Sequence, residues 1–349
     1  MRRLTQLLNR RQRDFEKAYL RQNEDDVTIN ESPKGNVLVR RSLRRSEVIN
    51  FFGKLTPCIV GIEACATAHH WAREIGRFGH TVRLMPPAHV KPYVKRNKND
   101  MADAEAIGEA VMRPNMRFVA VKTAAQQSVL MLHRCRALLV RQRTMLANAI
   151  RAHLAELGIA MPKGIRTLLA ALSAPQNEGN DVPDLARRAL EPMALSLVEL
   201  GKRIRELEVD IVRGHRGNET SRRLETIPGF GVMTSTAMAA TVADPTAFKS
   251  GREFAAWLGL TPRENSSGGK QRLGGITKMG DGYLRTLLVV GATAVIRFAR
   301  EEGSAKTAWI RKLMEKKPAK VVAVALANKM ARIAWAIMTR REVYRVIPA

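Results

Sequence analysis

An α/β domain followed by a mostly helical region is the fold class this sequence predicts, and three patterns predict it. Two short apolar runs, CIVGI at 58–62 and TVRLM at 81–85, have the length and content of buried parallel strands. Amphipathic segments separate and follow them, as a strand–helix–strand–helix order requires. Beyond residue 123 the apolar period becomes that of long helices, interrupted by Gly-rich turns near 229 and 268.

The bulk composition narrows the classes of function. The 349 residues allow two or three domains, and an apolar fraction of 45% excludes a disordered basic tail. Lys and Arg number 59 against 32 acids, so the net charge is +27 and nucleic acid is the expected partner. A membrane-surface role fits less well, because the charge is spread along the whole chain. Cys58, Cys65 and Cys135 form no CxxC pair, which suits a reducing, cytoplasmic setting and suggests no zinc site. The Arg-rich start lacks the apolar stretch of a signal peptide. KVVAVALANKMARIAWAIM carries Lys329 and Arg332 near its middle and reads as a buried helix rather than a membrane span.

Taken in order, NVLVRRSL (36–43) reads as a strand and RSEVINFFGKL as a short amphipathic helix. CIVGI runs out at Glu63, and HHWAREIGRFGH then reads as a helix stopped by Gly79. TVRLM is closed by Pro86 and Pro87, and a helix over 100–112 follows. In parallel sheets functional groups gather at the carboxyl ends of strands, where Glu63 sits. A long helix is expected at 123–157, striped by Val129, Leu132, Leu139, Leu146, Ile150, Leu154 and Leu157. SAPQNEGNDVPD (173–184) is a loop by composition. Leu190, Met193, Leu197, Leu200, Ile204, Leu207 and Ile211 then alternate spacings of three and four, a coiled-coil seam. Pairing with the preceding helix and pairing with a second chain both satisfy it.

Three places carry candidate chemistry. Asp100 and Asp103 share one helical face, where like charges repel. Asn99 or Asp100 as N-cap with Asp103 at N3 would make a capping box; a shared divalent cation, with Glu63 as third oxygen donor, would equally account for them. In TIPGFGVMTS, Gly229 and Gly231 bracket a tight turn whose backbone N–H groups suit a phosphate, as in a helix-hairpin-helix, although plain helix–helix turns use the same residues. Ser266 and Ser267 stand in a Gly-rich stretch with Lys270, Arg272, Lys278 and Arg285 near in sequence. Dense cations can activate a serine against a phosphodiester, and a flexible phosphate-touching loop has the same composition.

GIEACATAHHWAREI, VKPYVKRNKNDMADAEAI, IPGFGVMTS, AAWLGLTPRENSSGGKQRLGGITKMGDGYLRTLL and ALANKMARIAWA, in this order, resemble the insertion sequence 110 family of transposases, nearest its 1111 subgroup. The resemblance runs from about residue 35 to the C-terminus. It implies a RuvC-like, ribonuclease-H-like DEDD domain at 35–118, a helical coiled-coil region at 119–220 and a mostly helical serine transposase domain with a helix-hairpin-helix at 221–349. On that resemblance Glu63, Asp100 and Asp103 are catalytic metal ligands for Mg²⁺, Ser267 is the catalytic serine, and Gly229, Gly231, Lys270, Arg272, Lys278 and Arg285 contact nucleic acid. It further implies double-stranded DNA of element ends and target as substrate, a structured guide RNA, and a homo-oligomer without a membrane. The family's first strand ends in a Gly-Ile-Asp-like motif, and residues 1–34 contain none. They read as an atypical segment with the first strand absent. Two functions are therefore expected: an active recombinase, or a DNA/RNA-binding remnant without its first catalytic Asp. A junction nuclease using the acids alone leaves the serine stretch without a role.

Overall fold

The computed structural model describes residues 17–20, 25–30, 37–94, 100–173, 182–301 and 308–345. Asn99, most of the loop expected at 173–184, and the side chains of Asp25, Asp26 and Asp100 lie outside the described residues. The chain divides into two units, Met1–Ala124 and Ala125–Ala349, so the helical region expected at 119–220 shares a unit with the C-terminal domain.

The first unit is built on one five-stranded sheet. In chain order its elements are β1 (Lys17–Leu20), β2 (Asp25–Asn30), β3 (Val37–Leu43), α1 (Val48–Phe52), β4 (Ile59–Glu63), α2 (Ala68–Gly76), β5 (Thr81–Met85), α3 (Pro87–Val90) and α4 (Asp100–Ala110). The strands lie in the order β3-β2-β1-β4-β5. β1 is antiparallel to β2 and β2 to β3, whereas β1, β4 and β5 run parallel. This corrects the expectation that the first strand is absent: the segment read as atypical holds both β1 and β2. A four-residue strand, KAYL, is too short to show a period, and the Asp pair opening DDVTIN masks the strand behind it.

Alternation along β4 assigns the two faces of the sheet. Val60, Ile62 and Leu84 pack with Val48, Phe52, Trp71, Ala72 and Ile75 of α1 and α2. Ile59 and Met85 pack on the other face with Ala106, Ile107 and Ala110 of α4. Burial on both faces is why CIVGI reads as an unbroken apolar run.

The second unit comprises α5 (Ala124–Glu156), α6 (Ile165–Ser173), α7 (Asp184–Arg216), α8 (Glu219–Glu225), α9 (Val232–Thr241), α10 (Gly251–Trp257), β6 (Pro262–Glu264), β7 (Leu273–Ile276), α11 (Gly282–Glu301), α12 (Ala308–Met314) and α13 (Ala319–Arg340). α5 and α7 pair antiparallel: Arg136 bridges Glu208 at 2.6 Å, while Ile150 and Leu154 pack in one cluster with Leu197 and Leu190. Leu197, Ile204 and Ile211, seven apart, are the fully buried seam positions. Leu157, placed on the α5 stripe by sequence, lies past the helix end and is exposed.

α9 is buried from Thr234 to Ala240 and forms the centre of the C-terminal core. α11 contributes Leu284, Leu288, Ala292 and Ile296, and α13 contributes Val322, Leu326, Ala327, Met330 and Ala334. Both helices are long and apolar enough to cross a membrane, and each lends one face to this core, while Val290 and Phe298 of α11 stay exposed. His133 of α5 ties the core together. Thr236 gives its hydroxyl proton to the Val232 carbonyl at 2.7 Å, so it accepts from His133 Nε2 at 2.9 Å. Nδ1 is then an acceptor for the Tyr283 hydroxyl at 3.0 Å. Burial, with the Arg136 guanidinium nearby, lowers the His133 pKa from 6.5 to about 4.

Two expectations follow from this packing. Leu197→Ala should cost about 2–5 kcal/mol, read from the urea midpoint, whereas Leu195→Ala on the exposed side should stay within about 0.5 kcal/mol. Between pH 6.5 and about 4 the unfolded chain binds a proton that folded His133 refuses. That contribution to stability is present in full above pH 6.5 and is lost as pH falls through the window, by roughly 3 kcal/mol in all. Urea titrations at pH 7 and pH 5 should show a drop that is smaller in His133→Gln.

Candidate active site

The pleat of β4 sets the carboxylate region. Residues 59, 61 and 63 point to one side of the strand, so Glu63 shares the face of Ile59, the face covered by α4. Its register partner, Met85, belongs to the same cluster. On α4, Asp103 lies one turn before Ala106 and Ile107, on the side packed against the sheet, and is 7% exposed. α4 contacts β1, β2 and β4. Glu63 thus closes a strand, and Asp103 lies in the first turn of a helix on that strand's face. The backbone of Asp100 begins α4; its side chain lies outside the described residues, and among those no group of three or more His, Cys, Asp or Glu surrounds one point. Across from β4, the β1 partners of Ile59, Val60, Gly61 and Ile62 are Lys17, Ala18, Tyr19 and Leu20, none of them acidic.

The serine stretch is a β-hairpin, which corrects its reading as a flexible loop. β6 and β7 pair antiparallel, Asn265 N–H donates to the Arg272 carbonyl at 2.9 Å, and Lys270 N–H to the Ser267 carbonyl at 3.1 Å. Gly268 and Gly269 take φ of 57° and 74°, the two positive values of a type I′ turn. The composition of a linker is here the composition of a tight turn. Ser266 is built into the hairpin: its hydroxyl donates to Glu264 Oε1 at 3.0 Å and accepts from Arg272 N–H at 3.1 Å. Ser267 flanks the tip, exposed, and among the described residues its hydroxyl has no hydrogen-bond partner. Lys270 and Arg272 are exposed on the facing side of the hairpin, and Lys278 is exposed at its base. Glu264, which sequence reasoning passed over, was legible as the acid two residues before Ser266.

Arg285 does a different job from the one expected of it. Its guanidinium donates to the Leu258 carbonyl at 2.8 Å and the Met279 carbonyl at 3.0 Å, tying down the base of the hairpin. There Gly259 lies against the backbone of Met279, and Gly280 against the Trp257 carbonyl, too close for any side chain at either glycine.

The PGFG turn joins α8 to α9 and faces inward at its first glycine. Gly229 has φ 86°, and a Cβ there would meet Met330 and Val295 at 2.8 Å and the Gly291 carbonyl at 2.9 Å. Gly231, the N-cap of α9, is exposed with open space around it.

Comparison with known sequences decides the family. Residues 221–308 match the model of the transposase IS116/IS110/IS902 family, and residues 33–159 match the DEDD transposase model of IS110 elements. A probable family 20 transposase of Pseudomonas aeruginosa is 48% identical over 312 residues, covering 89% of this chain and 92% of its own. The chain belongs to the IS110 transposase family. The transposase of IS1328 from Yersinia enterocolitica is 40% identical over 89% of this chain and 92% of its own. That of IS1111A from Coxiella burnetii is 38% identical over 89% of this chain and 86% of its own. A member of the IS110 family is an enzyme acting on DNA. The family match begins at residue 33, so β1 and β2 precede it.

The two glycines of the turn should separate on substitution. Gly229→Ala should lose about 1–3 kcal/mol in thermal unfolding, from positive φ and overlap with α11 and α13. Gly231→Ala should lose less than about 1 kcal/mol.

Proposed function

We propose that this IS110-family transposase cuts and rejoins DNA through Ser267, with Glu63, Asp100 and Asp103 as the acidic set of a RuvC-like domain. The observation that carries this reading is the bare Ser267 hydroxyl beside a tight, hydrogen-bonded hairpin turn, flanked by Lys270 and Arg272. The Ser267 oxygen would attack phosphorus as the bond to one deoxyribose oxygen breaks, and the serine proton ends on that leaving oxygen. One phosphoester is exchanged for another, so rejoining needs no outside energy. Lys270 and Arg272 would stabilise charge growing on the phosphoryl oxygens.

Glu63 and Asp103 are hard oxygen donors, one at the end of a strand and one in the first turn of the helix lying on that strand's face, a donor chemistry that fits Mg²⁺. A divalent ion held there with Asp100 would supply charge stabilisation at a phosphodiester. The reading extends to element ends and target DNA as double-stranded substrate, to a structured guide RNA, and to a cytoplasmic homo-oligomer. Its helix-hairpin-helix would be α8–turn–α9, with the exposed Gly231 end nearer to phosphate than the half-buried Gly229. Support for a coiled-coil contact between copies comes from Met131, Leu138 and Met145, exposed at intervals of seven on α5. A second reading, a DNA-binding remnant without catalysis, is favoured by the lack of any acid in β1.

Ser267→Ala should abolish covalent protein–DNA adducts on a cognate element junction while changing DNA affinity less than about twofold, since affinity resides in many cationic contacts. Ser266→Ala should reduce adducts only in part, through the lost ties to Glu264 and Arg272. Denaturing gels with Mg²⁺ and with a chelator provide the readout. Adducts persisting in Ser267→Ala would move the nucleophile elsewhere, and binding without adducts in the parent would favour the remnant.

A further inference from the structure

A groove of about 850 Å³ lies between the start of α10, α12 and α13, away from the serine hairpin's residues. Its chemistry is uneven in a specific way. Arg252, Lys329 and Arg332 line it and are exposed, and no lining residue is acidic. Among the described residues none of the three has a carboxylate partner. Between the cations stand two indoles. Trp335 is committed to the fold, because its Nε1 donates to the Pro245 carbonyl at 3.0 Å. Trp309 is not: it is 43% exposed, and Lys329 Nζ sits 4.9 Å from its ring centroid. The wall is rigid, since Gly251 lies against the α13 backbone at Arg332 and Asn328 donates to the Leu260 carbonyl at 3.2 Å.

We propose that this groove holds an unpaired nucleotide of a DNA or RNA strand, its base stacked on Trp309 and its phosphates met by Arg252, Lys329 and Arg332. An exposed flat ring among unpaired cations is the combination that single-strand binders use. Lys329 already uses the ring's attraction for cations, and guanidinium groups nearby extend it. A paired base within a duplex has both faces covered by its neighbours, so only an unstacked base can lie against the indole. An acidic peptide would satisfy the cations and leave the ring unused. The groove volume lies in the range of about 300–1,000 Å³ typical of small-ligand sites, enough for one nucleotide. The proposal rests on the reading that the chain handles nucleic acid and adds an element outside the proposed chemistry.

The test uses the full chain with oligo(dT) and oligo(U), and poly-L-glutamate as competitor. Trp309→Ala should weaken single-strand binding by roughly 5- to 140-fold, the equivalent of about 1–3 kcal/mol per stacked base. Trp309→Phe should recover most of it, which separates stacking from misfolding. Oligonucleotide should quench tryptophan emission in the parent and less in Trp309→Phe, and Arg252→Ala with Arg332→Ala should flatten the salt dependence. A stronger effect on oligo(U) identifies RNA as the occupant, and the reverse identifies DNA. Unchanged affinity and quenching in Trp309→Ala would overturn the groove while leaving the serine chemistry untouched. Poly-L-glutamate binding as tightly as oligonucleotide, and losing as much in Trp309→Ala, would overturn it in favour of an acidic protein partner. A parent that binds no nucleic acid of any kind defeats both this proposal and the reading it rests on.

Discussion

A parallel strand buried on both faces can carry a carboxylate only where the burial stops, and much of the first unit follows from that constraint on β4. Val60 and Ile62 are committed to the α1/α2 side and Ile59 to the α4 side. Glu63 is the first position past this double burial, and the pleat turns it toward α4. From Asp103 to Ala110, α4 is buried except at Glu105 and Glu109, with alanines at 104, 106 and 110 that let it lie close to the sheet. An aspartate on such a helix is tolerated where its environment compensates it, and Asp103 lies in the helix's first turn. Strand and helix thus place acids 40 positions apart in sequence on the same face of the sheet.

The second unit solves a different problem, holding an exposed hairpin steady without burying it. Every residue from Pro262 to Gly275 is exposed, so no hydrophobic contact fixes the tip. Its precision comes from the base, where Gly259 and Gly280 bring two backbone segments together and Arg285 binds carbonyls on both. α11 continues from that base under an Asp281 cap, whose carboxylate accepts from Tyr283 and Leu284 N–H at 2.8 and 3.0 Å. Tyr283 then reaches His133. The hairpin is therefore anchored, through one turn of helix, to the buried polar centre that joins α5, α9 and α11. A buried network of this kind rigidifies only when each member is satisfied, and the direction of the Thr236 proton leaves His133 one donor and one acceptor role.

Legibility in the sequence followed burial and length. TVRLM became β5 residue for residue, and CIVGI became β4 with its end at Glu63, because two-sided burial writes itself as an apolar run. The α7 seam was equally plain, and its partner within the chain was one of the two left open. β1 and β2 were not legible, since KAYL and DDVTIN take their place from pairing with β4 and with each other rather than from local periodicity. The hairpin at Ser267 was hidden by glycines that read as freedom when considered alone and as a type I′ turn once flanking strands are known. His133 had no local signal at all: its partners are 103 and 150 positions away.

The same distinction applies to charge, and it changes what a net +27 means. Counting cations treats them as equivalent, yet the structure withdraws several from any surface role. Arg73 holds the Lys122 carbonyl, Arg83 the Val111 carbonyl, Arg136 the Glu208 carboxylate and Arg285 two carbonyls of the hairpin base. Guanidinium donors are well suited to such work, because a planar fork can satisfy orphaned carbonyls at loop closures. Among the cations that stay exposed, two sets stand together: Lys270, Arg272 and Lys278 on and beside the serine hairpin, and Arg252, Lys329 and Arg332 around Trp309. A phosphate backbone is attracted to the whole field, but it is held in register only where cations sit on rigid supports. On that argument the two groups, each backed by glycine-tight packing, are where a bound strand would be held in register, and the remaining charge would draw it there.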